Sequence, residues 1–272
     1  MLSFITINLR SIKMNNLHKR FSGACLSALL AIVVLLLSSQ TLHAQEEDSN
    51  SDSEWNYAIA MYLWAAQIEM TAPSGNSADF PFYKILDNLK MTFMGDIAAQ
   101  KGNWTVAADV MYLDVGGNQT DTESAPPSTI QVGAGTASWI VTPTVGYALI
   151  DSDKGRFELV GGARYLYLDA YARTKVDGVQ GVDLEASESF WDIVVGVRGR
   201  LNLSQKWFVP VYFDVGGGSG TSTWQGFAGV GYRFKHFDSL LTYRYLNYKF
   251  DNVPVMSDLT MKGPFAGMVF RF

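Results

Sequence analysis

Disulfide and thiolate chemistry are excluded almost at once. The one cysteine, Cys25, stands in an apolar run near the N-terminus and not among the later residues. Histidine is nearly as scarce. His18 and His43 lie close to the N-terminus, which leaves His236 alone over the remainder. A lone imidazole offers no metal-binding spacing and no relay with a second base. There is no serine in a glycine elbow and no phosphate loop: Gly216-Gly217-Gly218-Ser219-Gly220 lacks the lysine and the strand–helix context of one. Beyond the N-terminal run no segment reaches 18 consecutive apolar residues, so no helical membrane span is expected there. Acids outnumber bases, 26 to 21, which argues against nucleic acid as a partner.

What is present begins with a leader. Residues 1–20 carry Arg10, Lys13, Lys19 and Arg20 and no acid. An apolar run, 24–37, follows, and then small and polar residues up to Ala44 and Gln45. Basic, apolar and small-residue parts in that order predict a secretory signal peptide over 1–44. Cleavage is placed after Ala44, within a few residues because Leu42 is large for its position, and Met14 is a second candidate start. The apolar run is shorter than the roughly 20 residues that a spanning helix needs. Loss of 1–44 removes four of the 21 basic residues and none of the 26 acids, so the formal charge moves from −5 to −9. Residues 45–54, QEEDSNSDSE, read as a disordered acidic periplasmic lead-in. No glycine turn gathers their carboxylates into a calcium loop.

From Trp55 to Phe272 the pattern has a period of two. Met91, Phe93, Ile97 and Ala99 alternate with Thr92, Asp96 and Gln100. Trp104, Val106, Ala108, Val110 and Tyr112 alternate with Thr105, Ala107 and Asp109. Such alternation predicts strands with two unlike faces. About ten are expected, near 55–70, 91–100, 104–112, 138–149, 157–167, 191–201, 207–215, 224–234, 241–245 and from 261 to the end. Pro143 falls inside the fourth, where a bulge is expected. Short turns at 101–103, 151–155, 203–206 and 235–236 alternate with longer connections at 71–90, 116–135, 171–187, 216–222 and 251–259. The expected fold is therefore all-β: a closed antiparallel transmembrane β-barrel of about ten strands, with long extracellular loops and short periplasmic turns. Eight or twelve strands fit the same pattern.

The sidedness of charge points to a membrane. One face of the strands is apolar, aromatic or glycine. The other holds Asp96, Asp109, Glu158, Asp192 and Asp214 with Arg164, Arg198, Arg200, Arg233, Arg244 and Arg271. A soluble sandwich turns its apolar face inward and exposes its charges. Enclosing these charges unpaired in a dry core would cost several kcal/mol each. A polar lumen surrounded by lipid avoids that difficulty, and lipid forbids an open sheet edge. The opposed charges nearly balance. They are expected to bridge across a narrow lumen and fill it, the other reading being a thin polar path for small solutes.

The last strand, ending Met268-Val269-Phe270-Arg271-Phe272, resembles the C-terminal assembly signal of Gram-negative outer-membrane barrels, with Phe270 and Phe272 as its aromatics. Residues 85–116, ILDNLKMTFMGDIAAQKGNWTVAADVMYLDVG, resemble a hairpin of a family of uncharacterised outer-membrane barrel proteins, in which a loop helix precedes a basic-glycine turn with an aromatic just after it. The resemblance implies fold and outer-membrane location, with lipid, lipopolysaccharide and the barrel assembly machinery as surroundings. It implies no catalytic residues. Just before this hairpin, residues 79–89 suit a short helix at the barrel mouth, a helix on lipid headgroups, or an extension of the strands. Barrel enzymes of the omptin, phospholipase and lipid A-modifying kinds use a histidine near the outer rim, whereas His236 falls in an expected periplasmic turn. No catalysis, cofactor or metal is expected. Two functions fit: a non-enzymatic barrel for envelope integrity or surface interaction, and a narrow porin-like channel or transporter.

Overall fold

Each of the ten long two-faced segments finds a partner on both sides, and the last pairs with the first. The computed structural model describes residues 54–272 other than 125–126, 177–178, 219, 252 and 254–255, and the side chains of these residues other than 117–134, 172–184 and 186. The leader expected over 1–44 and the lead-in as far as residue 53 lie outside the described residues. The wall is built from β1 (Asn56–Trp64), β4 (Leu89–Lys101), β5 (Trp104–Ser124), β6 (Pro127–Ser152), β7 (Gly155–Val176), β8 (Val179–Asn202), β9 (Trp207–Gly218), β10 (Thr221–Arg233), β11 (Asp238–Phe250) and β12 (Asp258–Arg271). Neighbours are antiparallel in that order, and β1 pairs with β12 from Ala58 opposite Arg271 to Trp64 opposite Phe265. Ten strands thus close without an edge, as a lipid-facing sheet requires.

Outside the ring, β2 (Gln67–Thr71) and β3 (Ser77–Phe80) form a hairpin, followed by α1 (Phe82–Asp87). β2 continues β1 along β12 in one register, since Gln67 faces Lys262 three residues beyond the Trp64–Phe265 pair. The span 79–89 therefore divides into a strand end, a single helical turn or so that buries Ile85, and the start of β4.

Two sequence expectations change. The connections expected at 116–135 and 171–187 are continuations of the strands: β5 and β6 stay paired to Ser124 and Pro127, and β7 and β8 to Val176 and Val179. The sequence of these stretches has no period of two, although the backbone ladder continues through them. No bulge forms at Pro143 either. It faces Ala108 in unbroken register, and on its other side Val141–Tyr165 and Thr144–Gly162 keep one register while pairing lapses between them. Gly162 makes this possible, because a Cβ there would meet the Pro143 carbonyl. The register shifts fall instead at 89–91, 148–150 and 173–175.

The outer surface carries two rings of aromatics. Near the short turns, Trp104 packs on Tyr147 with centroids 4.9 Å apart, and Trp207 on Tyr232 at 4.9 Å. Toward the other end, Tyr112 packs on Trp139 at 4.5 Å, Tyr165 on Trp191 at 4.8 Å and Trp224 on Tyr245 at 4.5 Å. On β5, β6 and β10 the two levels are eight residues apart: Trp104 and Tyr112, Tyr147 and Trp139, Tyr232 and Trp224. At about 3.3 Å per residue and a tilt of about 40°, the rings stand roughly 20 Å apart along the barrel axis. Between them exposed apolar side chains dominate, among them Ile193, Val195, Leu159 and Val106.

Candidate functional site: the barrel interior

Inward-facing side chains come from alternate positions of every wall strand, and their chemistry changes with height. At the level of the short turns lie two charge clusters. In one, Glu158 accepts hydrogen bonds from Thr105 Oγ1 at 2.7 Å and Arg156 Nε at 2.6 Å, and Arg198 Nε stands 3.0 Å from its second oxygen. Arg156 also pairs with Asp151 and donates to the Gly102 carbonyl. In the other, Asp238 faces three arginines: Arg200 Nη1 at 2.9 Å, Arg271 Nη2 at 2.5 Å and Arg233 Nε at 4.0 Å. The Arg200 guanidinium also lies 3.5 Å above the centre of the Phe208 ring, a cation–π contact. Gly231 leaves the space that this ring fills.

Halfway up, the charges are largely enclosed. Arg164 and Asp214 are both 0% exposed, with Arg164 Nη2 donating to Asp214 Oδ2 at 2.5 Å. The remaining Arg164 nitrogens donate to Thr142 and Thr223. Arg244 Nη2 donates to Asp109 Oδ2 at 2.6 Å and to Gln225 Oε1 at 2.7 Å, and its Nη1 to the Tyr62 hydroxyl at 3.1 Å. Tyr62 in turn donates to Asp109, and the Arg244 guanidinium rests over the Trp64 ring. Charge-assisted bonds of this kind, several to each arginine, offset the desolvation that burial imposes.

All eleven charges named from the sequence stand on inward positions, but they do not form one network. Asp96 lies opposite Asp109 in the ladder and has no ion-pair partner among the described residues. Asp192 is held by the Thr221 hydroxyl rather than by an arginine. Participants outside that set include the charged Arg156, Asp151 and Asp238 and the Tyr62 hydroxyl. Asp238 lies two residues past the turn at 235–236 and ahead of the alternation that begins near 241, so the period of two does not single it out. Lys262, in the terminal strand, has the parity of the outer face and pairs with Glu69 of β2 at 3.1 Å. Phe270 and Phe272 are on the same outer parity, and Phe270 packs near Phe237.

Farther from the turns the interior is mainly apolar, with the buried Thr221 and Thr223 of β10 as polar exceptions. Leu166, Leu246 and Tyr248 are 0% exposed, and with Met111, Ile140, Phe250, Leu259 and Phe265 they form one packed cluster, joined by Met256 from the β11–β12 connection. The change is abrupt on every strand concerned. Two residues past Asp96 comes Met94, past Asp109 Met111, past Thr142 Ile140, past Arg164 Leu166, past Asp192 Phe190, and past Arg244 Leu246. The interior is thus an ionic layer beneath a greasy stopper, not a lumen charged along its whole length. His236 lies exposed in the β10–β11 turn, and no group of His, Cys, Asp or Glu suited to a metal occurs among the described residues.

No family model matches the chain, and no curated protein matches it. Among solved structures it is similar in fold to the translocator domain of the autotransporter NalP from Neisseria meningitidis, at 12% identity and a TM-score of 0.42, covering 92% of this chain and 98% of that one. It is similar also to Ail, the attachment invasion locus protein of Yersinia pestis, at 11% identity and a TM-score of 0.34, covering 81% and 99%. The toluene transporter TbuX of Ralstonia pickettii matches at 9% identity and a TM-score of 0.35, over 82% and 75%. The exterior of this chain carries the conclusion by itself. A closed ten-stranded antiparallel ring, girdled twice by aromatics around an apolar band and enclosing its charges, is an outer-membrane β-barrel in contact with membrane lipid.

Proposed function

We propose that the protein is a non-enzymatic outer-membrane barrel with a sealed interior, acting in envelope integrity or surface interaction through the parts that stand outside the bilayer. The observation that supports this most is the stack at its centre: a fully buried Arg164–Asp214 pair with Leu166, Leu246 and Tyr248, equally buried, above it. A barrel of ten strands has little bore beyond what side chains fill, and here two chemically unlike layers fill it. Ions would have to break the pair and also cross an apolar constriction. The outward reach of β5–β8, paired well past the distal aromatics, supplies the surface for interaction. Residues 1–44 direct export in this reading. Phe270 and Phe272 are read by the barrel assembly machinery, and lipopolysaccharide surrounds the distal girdle.

Planar-bilayer recording tests the seal. The refolded protein is expected to give no single-channel steps, and reproducible steps would favour the narrow channel instead. The role of the outer hairpins is tested in cells that lack the protein. Full-length chain restores the envelope or surface phenotype, whereas a chain shortened at 117–134 and 172–186 does not. Equal rescue by both would place the function in the barrel wall.

A further inference from the structure

Three guanidiniums around one carboxylate leave an excess of two positive charges at the turn end of the interior. Among the described residues, Asp238 is the one carboxylate within ion-pair distance of Arg200, Arg233 and Arg271. Asp238 itself is 2% exposed, while Arg233 and Arg271 are 45% and 47% exposed, so the unbalanced charge faces the opening and the balancing charge lies behind it. Arg233 is the loosest of the three, at 4.0 Å. Arg200 Nη2 is buried with no hydrogen-bond acceptor. The nearby acids at this level are engaged elsewhere: Glu158 and Asp151 are taken by Arg156 and Arg198. The cluster already binds one carboxylate through charge-assisted bonds and has donors left for another. Because the short turns face the periplasm, and on the sealed interior proposed above, what enters here stays on the periplasmic side.

We propose that Arg200, Arg233 and Arg271, gathered on Asp238, form a periplasmic binding site for an oxyanion ligand, a carboxylate or phosphate group carrying about two negative charges. The site does not depend on the role proposed for the outer hairpins, and its test reads binding rather than conductance or phenotype. The full-length mature chain is refolded in detergent and titrated calorimetrically with citrate, with pyrophosphate and with chloride at fixed ionic strength. One saturable site for citrate or pyrophosphate is expected, and none for chloride. The tighter of the two oxyanions tells a carboxylate-bearing source from a phosphate-bearing one. Arg233→Gln, at a half-exposed position, is expected to weaken binding about ten-fold, the loss of roughly one charge-assisted bond. Asp238→Asn is expected to tighten it, a gain that a merely structural role for this aspartate would not produce. Should Asp238→Asn fail to refold, Arg233→Gln decides alone. Absence of a saturable site, or equal affinity in wild type and Arg233→Gln, overturns the proposal.

Discussion

At the scale of single residues, the buried ion pair is held by geometry rather than by its own net stability. Arg164 reaches Asp214 across the interior and spends its other donors on two threonines, so the arginine is enclosed with its partners in place, while Asp214 has Oδ2 bonded and Oδ1 buried without a hydrogen bond among the described residues. Removing one partner strands the other. Asp214→Ala is therefore expected to lower stability by about 3–5 kcal/mol, read as a shift of the urea midpoint of the vesicle-embedded protein. Replacing both at once by apolar residues of similar volume, Arg164→Met with Asp214→Leu, should recover most of that loss, because no unpaired charge then remains. A double variant as unstable as the single one would show instead that the pair contributes net stability. Tyr62 is held at both ends, with its hydroxyl between Arg244 and Asp109 and its ring 4.4 Å from that of Phe265. One side chain thereby joins the ionic layer to the apolar one.

At the scale of elements, the two faces of a strand are separate solvents' worth of constraint, and β8 shows both. Val195 is 61% exposed and lies four residues from Trp191 of the distal girdle, midway through the apolar band. Val195→Arg should destabilise the folded barrel by about 2–4 kcal/mol, while Leu203→Arg, in the turn beyond Asn202, should change it by about 0–1 kcal/mol. Equal effects at the two sites would mean that depth in a bilayer is not what the outer face senses. The same strand explains what was legible in the sequence. From Trp191 to Leu201 an apolar position alternates with an inward one, and both strand and facing follow from that period. Between Val179 and Ser189 the sequence keeps no period of two, and the pairing with β7 is invisible to pattern reading. The apolar stopper was hidden for a different reason. Parity tells inward from outward but says nothing of height, so Leu166 and Leu246 joined their strands' inner sets unnoticed beside Arg164 and Arg244. Aligning the strands on their aromatics would have put the charges at one level and these residues at the next.

At the scale of the whole molecule, the height of the apolar band sets the membrane that fits. Eight residues between girdles give a band of roughly 20 Å, somewhat below the roughly 25 Å usual for barrels of this class and well below an average hydrocarbon core of about 30 Å. A rigid closed ring cannot tilt or stretch its strands independently, because every strand is bonded to two neighbours. The bilayer must deform to meet it, at a fraction of a kcal/mol for each ångström of mismatch. Folding of the urea-unfolded chain, residues 45–272, should therefore be more complete in vesicles of short-chain than of long-chain phosphatidylcholine, read by the shift in migration on heating. Tryptophan emission should follow the same order, since Trp104 and Trp207 mark one interface and Trp139, Trp191 and Trp224 the other. In a matched bilayer both sets reach the headgroup region, whereas in a thick one at least one set is drawn into the hydrocarbon and its emission moves to the blue. Equal yield and unchanged emission across chain lengths would mean that these rings do not mark the two interfaces, and the span would have to be sought higher on β5–β8.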